Sequence, residues 1–182
     1  MKKTLGLLAM LVALAPGLAG AQDEPKDFQV AKSIVKAVNH YAYFTIFDDV
    51  NVHVVNGVAT LSGRVTQPYK KSDLEKRVAQ LDGVKQVNNR MAVLPLSGFD
   101  DQLRYRIARA IYGNMNFWQY ASMANPPIHI VVEHGRVTLI GVVQSEVDRM
   151  LARSLASQPG VFSVTSQLKT VVEAREEAAT TS

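Results

Sequence analysis

Hydrophobic and polar residues alternate in two separate stretches of the chain, residues 50–65 and residues 128–143. Such alternation is typical of a β-strand with one buried face, because successive side chains point to opposite sides of a sheet. The pairs Asn56-Gly57 and His134-Gly135 interrupt these stretches, and glycine accepts the positive φ that a tight turn needs. Each stretch therefore predicts a β-hairpin. The alternating apolar positions are Val50, Val52 and Val54 in the first stretch and Ile128, Ile130 and Val132 in the second.

Helical periodicity is found on both sides of each hairpin. Apolar residues recur there at spacings of three and four, which predicts amphipathic helices. Candidate N-caps are Asp27 for the first helix, Asp100 or Asp101 for the third, Ser145 for the fourth, and a capping box from Ser72 to Glu75 for the second. A short strand pattern follows the second helix of each unit. The predicted order is helix, strand, strand, helix, strand, and it occurs twice.

The two predicted units are copies of each other. The segment VNVHVVNGVATLSGRV at residues 50–65 aligns without a gap with IHIVVEHGRVTLIGVV at residues 128–143. Downstream, LDGVKQV at residues 81–87 matches QPGVFSV at residues 158–164. Glycines recur at equivalent places in both copies, and internal similarity of this kind is the mark of a repeated module. We assign a structural role in turns and strands to Gly57, Gly63, Gly83, Gly135, Gly141 and Gly160.

We therefore predict an α+β protein of two tandem αββαβ modules. Each module is expected to form a small three-stranded mixed sheet with two helices packed on one face. The first module spans residues 27–95 and the second spans residues 99–172, and the short connector between them favours contact between the modules. Residues 173–182 are predicted to form a flexible C-terminal tail.

The N-terminus has the three parts of a secretory signal. Lys2 and Lys3 precede an uncharged apolar run, and the small residues Ala19-Gly20-Ala21 follow it. This pattern predicts a signal peptide at residues 1–21, cleaved between Ala21 and Gln22, with an uncleaved anchor as the alternative. No other segment is apolar over a length that would cross a membrane.

The residue pattern of both copies resembles the BON domain. The motif I-x-V-x-x-x-x-G-x-V-T-L-x-G-x-V, followed by a helix and P-G-V-x-x-V, is carried by the second module in the segments quoted above. The first module matches through its own segments, with Ala59 in place of the usual valine. The resemblance implies a periplasmic, non-enzymatic protein linked to osmotic and envelope stress. It also implies association with anionic phospholipid, in some members through a helix of the second module.

The residue types needed for catalysis or metal binding are not grouped along the sequence. The chain has no cysteine, so it has neither disulfides nor thiolate metal ligands. Its four histidines lack metal-ligand spacing, and its glycines do not form a phosphate-binding loop. We predict no enzymatic activity, no metal site and no cofactor. The net charge of +4, which falls to +2 without Lys2 and Lys3, gives no indication of nucleic acid binding.

The stretch NFWQYASMANPPIHI, residues 116–130, contains the single tryptophan of the chain. It follows a predicted helix on which Arg106 and Arg109 are three residues apart and share a face. Together with the resemblance, this suggests a site where Phe117 and Trp118 insert into a membrane surface while the arginines contact anionic phospholipid. The alternative is that one of these rings closes the core of the second module.

The second hairpin carries apolar residues on the side that should face away from the helices. Ile140 and Val142 lie there, beside Val131. A sheet with helices on one face only is normally polar on the other face, so this face should be covered. Packing against the first module is favoured, and a second chain or another protein is the alternative. A protein-interaction or chaperone-like role through this face, with an envelope protein as partner, is the second functional hypothesis.

Overall fold

The computed structural model describes residues 26–180, and its elements follow the repeat. The first module contains α1 (Lys26–Asn39), β1 (Asp49–Val55), β2 (Val58–Val65), α2 (Pro68–Ala79), β3 (Gln86–Asn89) and β4 (Ala92–Val93). The second module contains α3 (Gly98–Tyr112), α4 (Trp118–Ala121), β5 (Ile128–Glu133), β6 (Arg136–Val143), α5 (Glu146–Ala156), β7 (Ser163–Thr170) and α6 (Val171–Thr180). The predicted α+β fold of two tandem modules is confirmed.

Each module forms a small mixed sheet. In the first, β2 lies in the centre, antiparallel to β1 and parallel to β3. In the second, β6 is antiparallel to β5 and parallel to β7. The third strand of the first module is broken at Arg90 and Met91, so that β3 and β4 pair with different parts of β2. The break turns Met91 into the core, where it is almost fully buried.

Helices cover one face of each sheet and enclose a separate core. The buried residues of the first core are Val30, Ile34, Val38, Tyr41, Ala59, Leu61, Val65, Leu74, Val78 and Met91. Those of the second core are Leu103, Ile107, Ile111, Phe117, Tyr120, Ile128, Ile130, Val132, Val137, Leu139, Val143, Ala152, Ala156 and Leu168. Burial of these side chains is the main stabilising contribution in a chain without disulfides.

Two glycines in equivalent strands are required by close approach of the backbone. A Cβ atom on Gly63 would lie 2.3 Å from the carbonyl oxygen of Asp49, and one on Gly141 would lie 1.8 Å from that of Pro127. Only glycine fits where backbones approach so closely. The glycines assigned a structural role all have a positive φ, namely Gly57, Gly63, Gly83, Gly135, Gly141 and Gly160.

The helix starts differ from three of the four predicted caps. Helix α2 begins at Pro68 after Gln67, four residues before the predicted capping box, because proline is favoured in the first turn. The side chain of Ser97, not Asp100 or Asp101, caps α3 by accepting from the Asp100 amide. Ser145 caps α5 as predicted.

Asp27 and Asp100 have a role other than capping. The Asp27 carboxylate accepts hydrogen bonds from the amides of Asn56 and Gly57, at 2.6 and 2.9 Å. The Asp100 carboxylate accepts from the amides of His134 and Gly135, both at 2.8 Å. Each aspartate therefore fastens the first helix of its module to the turn of the following hairpin. We call these pairs of bonds the aspartate clasps.

Residues 173–180 are helical, so the prediction of a flexible tail is wrong for this part of the chain. Thr170 and Glu173 form a reciprocal capping box, in which each side chain accepts from the amide of the other residue. Glu173 also pairs with Arg149 of α5 at 2.9 Å, and Lys169 pairs with Glu177. The helix is thereby attached to the second module.

The loop at residues 40–48, between α1 and β1, joins the two modules; we call it the bridging loop. The amide of Ile130 donates to the carbonyl oxygen of Ile46 at 2.7 Å. Ile46 and Phe47 pack against the second core. The Nδ1 atom of His129 donates to the carbonyl oxygen of Asp48 at 2.6 Å. The contact predicted between the modules is therefore present.

A buried ion pair holds the bridging loop in place. Asp48 is fully buried and accepts from the amide and hydroxyl of Thr45 and of Thr66. The ammonium of Lys70 lies 2.7 Å from the Asp48 carboxylate and 2.7 Å from the Thr66 hydroxyl. Since a buried carboxylate is tolerated only when it is paired and hydrogen-bonded, this set of partners explains why Asp48 can be buried.

Candidate functional site

Two arginines on α3 present positive charge without a carboxylate partner. Arg106 and Arg109 are both exposed. One guanidinium nitrogen of Arg106 donates to the carbonyl oxygen of Pro159 at 2.9 Å. In the described part of the chain, neither guanidinium is within ion-pair distance of a carboxylate. Both are therefore free to bind an anion from solution or from a membrane surface.

The two adjacent aromatic rings of the segment after α3 are placed in opposite environments. Phe117 is fully buried in the second core, where its ring stacks on Tyr120 with centroids 6.0 Å apart. Insertion of Phe117 into a membrane is therefore wrong as a prediction, because this ring closes the core. Trp118 begins the short helix α4 and is 68% exposed. Only the tryptophan is available at the surface.

Three further exposed side chains near these residues were not predicted from the sequence. Met115 is 85% exposed, and Tyr105 and Met123 are also exposed. Tyr105 lies one helical turn before Arg109, and this spacing could have indicated it. We call the residues Tyr105, Arg106, Arg109, Met115 and Trp118 the α3–α4 surface.

The outer face of the second sheet is only partly covered. Val131 is almost fully buried, so its assignment to an open interaction face is wrong. Ile140 is half-buried and Val142 is 36% exposed. They line a groove of about 480 Å³ between the modules. The other residues that line the groove are Val35, Val38, Asn39, Phe44, Asp49, Val50, Asn51, Val52, His129 and Gly141.

The groove contains one acidic side chain, Asp49, and its pKa is shifted. Burial raises the pKa of Asp49 above its ordinary value. The bond donated by Asn51 and the nearby charges of His129 and Arg64 oppose this shift. Arg64 also pairs with Glu133 of the second module at 3.0 Å. Asp49, Asn51 and His129 thus interrupt a lining that is otherwise mostly apolar.

A tyrosine ties α3 to the strand that follows it. The Tyr112 hydroxyl donates to the carbonyl oxygen of Ile128 and accepts from its amide. Burial raises the pKa of Tyr112, against the lowering effect of its bond to Ile128, so the hydroxyl stays protonated at neutral pH. This contact fixes the end of α3 and the base of the segment that carries Trp118.

Within residues 26–180, no three His, Asp or Glu side chains are grouped so that they could hold a metal ion. None of the helices in residues 26–180 has the length and apolar character needed to span a membrane.

Comparison with known families decides what this repeat is. The family model described as the BON domain matches residues 26–95 and residues 100–171, which together make up more than three quarters of the chain. The chain belongs to the BON domain family. BON domains are non-catalytic binding domains associated with phospholipid binding and with proteins of envelope and osmotic stress. BON proteins are typically periplasmic, and the predicted signal peptide of this one lies outside the described residues.

Similarity to individual proteins adds little to the family assignment. No curated protein sequence matches this chain. Two solved structures of CdsD, a structural protein of the type III secretion system of Chlamydia trachomatis, are similar to parts of it. The first is 16% identical, covers 81% of this chain and 97% of its own, and has a TM-score of 0.27. The second, a C-terminal domain, is 13% identical, covers 74% and 96%, and has a TM-score of 0.26.

Proposed function

We propose that this BON protein binds anionic phospholipid at a membrane surface of the periplasm and does so through the α3–α4 surface. The observation that carries the proposal is the combination of two guanidinium groups, without an ion-pair partner among the described residues, and an exposed tryptophan on adjacent segments of one module. Tryptophan favours the interface between membrane and water, and arginine attracts anionic head groups. The association with phospholipid that is known for BON domains supports the same assignment.

The binding is peripheral and depends on salt. Each arginine near an anionic surface contributes about 1 kcal/mol, and this contribution is screened over about 10 Å at 0.1 M salt. Trp118 and Met115 add apolar contact at the level of the head groups. Export by the proposed signal peptide at residues 1–21 would bring the protein to such membranes, and the association of BON domains with osmotic and envelope stress supports a role there.

Sedimentation with phosphatidylglycerol vesicles tests the proposal. The mature protein should co-sediment at low salt, and the Trp118 fluorescence should shift to the blue as the indole leaves water. The double variant Arg106→Gln/Arg109→Gln should weaken binding about 30-fold, since two contributions of about 1 kcal/mol are lost. Arg153→Gln removes an exposed charge from α5 and is the matched control.

Two results would contradict the proposal. The first is absence of co-sedimentation at low salt. The second is binding with an unchanged Trp118 spectrum and equal affinity of the double variant and the control, which would place lipid binding elsewhere on the molecule.

A second candidate function is binding of an envelope protein in the groove between the modules. The observation that favours it is the open apolar wall formed by Ile140 and Val142 beside Val35. Val142→Asp should abolish such binding and leave the co-sedimentation with vesicles unchanged. Cross-linking from position 142 in a periplasmic extract, compared with position 153, would show whether a partner occupies the groove.

A further inference from the structure

A shallow trough on the first module lies outside both surfaces described above. It is lined by Tyr41 and Tyr43 of the bridging loop and by one face of α2, and its volume is about 450 Å³. The α2 residues in its lining are Asp73, Lys76, Arg77 and Gln80. Their spacing of three and four places them on one face of the helix. We call this depression the tyrosine trough.

Two tyrosine rings, Tyr41 and Tyr43, line the trough, and the ring of Tyr69 adjoins Tyr43. Tyr43 contacts Tyr41 and Tyr69 edge to face, with centroids 5.7 and 5.8 Å apart. Tyr43 is 59% exposed and Tyr69 is also exposed, whereas Tyr41 is almost fully buried beneath them. Because the rings of Tyr43 and Tyr69 are nearly perpendicular, at 83°, a flat ligand can stack on the face of one ring and contact the edge of the other.

Two polar side chains of the trough, Tyr41 and Asp73, are bonded to each other, and its two cationic side chains have no carboxylate partner among the described residues. The Tyr41 hydroxyl donates to the Asp73 carboxylate at 2.8 Å, and Arg77 lies over the Tyr41 ring at 5.4 Å from its centroid. Burial and the bond to Asp73 raise the pKa of Tyr41, so its hydroxyl remains a donor. In the described part of the chain, neither Lys76 nor Arg77 forms an ion pair with a carboxylate.

We propose that the tyrosine trough binds an anionic saccharide, that is, a sugar that carries a carboxylate or phosphate group. The apolar face of a sugar ring stacks on an exposed tyrosine ring. Lys76 and Arg77 bind the anionic group, since charge-assisted bonds of this kind are the strong ones. Gln80 and the free acceptor positions of Asp73 bind hydroxyl groups. The trough thus offers a group for each part of the saccharide, namely its ring, its hydroxyl groups and its negative charge.

The composition of the trough favours a saccharide over a membrane surface. Its lining contains no aliphatic side chain, and each aromatic ring in it ends in a hydroxyl group. An inserting surface needs apolar groups that enter the lipid, such as Met115 beside Trp118. A concave site with polar walls instead suits a small polar ligand that enters it.

The second module lacks the same set of side chains. Alignment of the caps Gln67 and Ser145 places Val147 at the position of Tyr69, Leu151 at that of Asp73 and Ser154 at that of Lys76. Leu155 occupies the position of Arg77. The repeat therefore preserves the fold around the trough but not its chemistry, and the proposed site belongs to the first module alone.

Amide chemical shifts of the mature protein test the proposal. Hyaluronan tetrasaccharide, which carries carboxylates, should shift the amides of residues 41–43 and 69–80. Chitotetraose, its neutral counterpart, should bind at least about tenfold more weakly, because the bonds to Lys76 and Arg77 are lost. Tyr43→Ala and Arg77→Gln should each weaken hyaluronan binding about tenfold, whereas Tyr43→Phe and the control Arg153→Gln should bind like the parent. Thermal unfolding by circular dichroism establishes that the variants are folded.

Three outcomes of the saccharide titrations overturn the proposal. They are hyaluronan shifts that lie outside the trough, equal binding of chitotetraose, and unchanged binding by both Tyr43→Ala and Arg77→Gln. Loss of phosphatidylglycerol binding in the same two variants also overturns it, because the trough would then belong to a membrane-binding face. Each of these outcomes is distinct from a failure of the α3–α4 surface, which is tested by the Trp118 spectrum and by the double variant Arg106→Gln/Arg109→Gln.

Discussion

The two copies of the BON module differ most in the segment that follows their first helix. In the first module this segment is the bridging loop, which contributes Tyr41 to its own core but packs Ile46 and Phe47 against the neighbouring module. In the second module the corresponding segment folds back on itself, and Phe117 enters the core of the same module. The two copies share the order of their main helices and strands, so this connection has a large part in what each copy contacts.

The difference in connection goes with a difference in anchoring. The bridging loop is held by the buried pair of Asp48 and Lys70, a polar anchor. At the equivalent positions, 78 residues on, the second module has Pro126 and Asp148, which cannot form that pair. Its segment is held by an aromatic ring instead. In the same fold, the segment after the first helix can therefore be held either by a buried ion pair or by a buried aromatic ring.

Removal of the polar anchor should have the largest effect. Asp48→Ala leaves the ammonium of Lys70 buried without a counter-ion, and we expect it to lower the free energy of unfolding by about 3–5 kcal/mol. Urea denaturation followed by circular dichroism measures this loss. The amides of Ile130 and His129 should shift as well, because the bridging loop is released from the second module.

The double variant Asp48→Leu/Lys70→Met is the control for this prediction. It removes both charges, so it should recover much of the lost stability. A single variant as stable as the parent would show that the ion pair is not what fixes the loop.

Substitution of Phe117, the apolar anchor, should reduce stability far more than substitution of the adjacent Trp118. Phe117→Ala opens a cavity in the second core and should cost about 3–4 kcal/mol in the free energy of unfolding. Trp118→Ala alters an exposed position and should change it by less than about 0.5 kcal/mol. The same two variants should rank in the opposite order in vesicle binding. Equal loss of stability would contradict the placement of these rings.

Substitutions in the two aspartate clasps allow a matched comparison of the modules, with smaller expected losses in the free energy of unfolding. Asp100 is 1% exposed and Asp27 is half-buried, although both accept two amide bonds from a hairpin turn. Asp100→Asn should therefore cost about 2 kcal/mol, and Asp27→Asn about 1 kcal/mol, since water replaces lost bonds more easily at the exposed clasp. Urea denaturation of both variants gives the two values. A larger loss for Asp27→Asn would contradict this order.

The smallest expected effect is the response of helix α6 to acid. The bond from the Thr170 amide, together with Arg149, lowers the pKa of Glu173. The stabilising contribution of a carboxylate with a lowered pKa is present above its ordinary pKa of about 4.3 and is lost as the pH falls through the lower folded value. Amide shifts of residues 171–177 should therefore move toward coil values below about pH 4. Glu173→Gln should show this change already at pH 6, and shifts that stay constant down to pH 3 would contradict it.

The repeat and its fold could be predicted because their determinants are local. Alternation, turn glycines and helical spacing act over a few residues, and the crowding that requires Gly63 and Gly141 recurs at the same offset in both copies. The aspartate clasps could not be predicted in this way. Each joins residues about 30 positions apart, and an aspartate near a helix start looks the same whether it caps the helix or binds a distant turn.

Two other errors came from competing local signals. Pro68 and the Ser72–Glu75 pattern both mark helix starts, and the proline prevails. The pattern Thr170-Val-Val-Glu173 is a capping box, but the polar composition after it favoured a tail. For the candidate site, the sequence gives the positions of Arg106, Arg109 and Trp118. It could not distinguish Phe117 from Trp118, because burial of adjacent rings depends on the fold around them.

The contact between Ile46 and Ile130 also protects the second module from other chains. Strand β5 lies at an edge of its sheet, and an unpaired edge strand offers its backbone groups to any extended segment. The carbonyl oxygen of Ile46 accepts a hydrogen bond from the Ile130 amide at this edge. Residues 97–180 alone would leave this amide unpaired, so we expect that fragment to self-associate more strongly than the full chain. In this protein a loop of the first copy of the repeat thus covers part of the edge strand of the second copy.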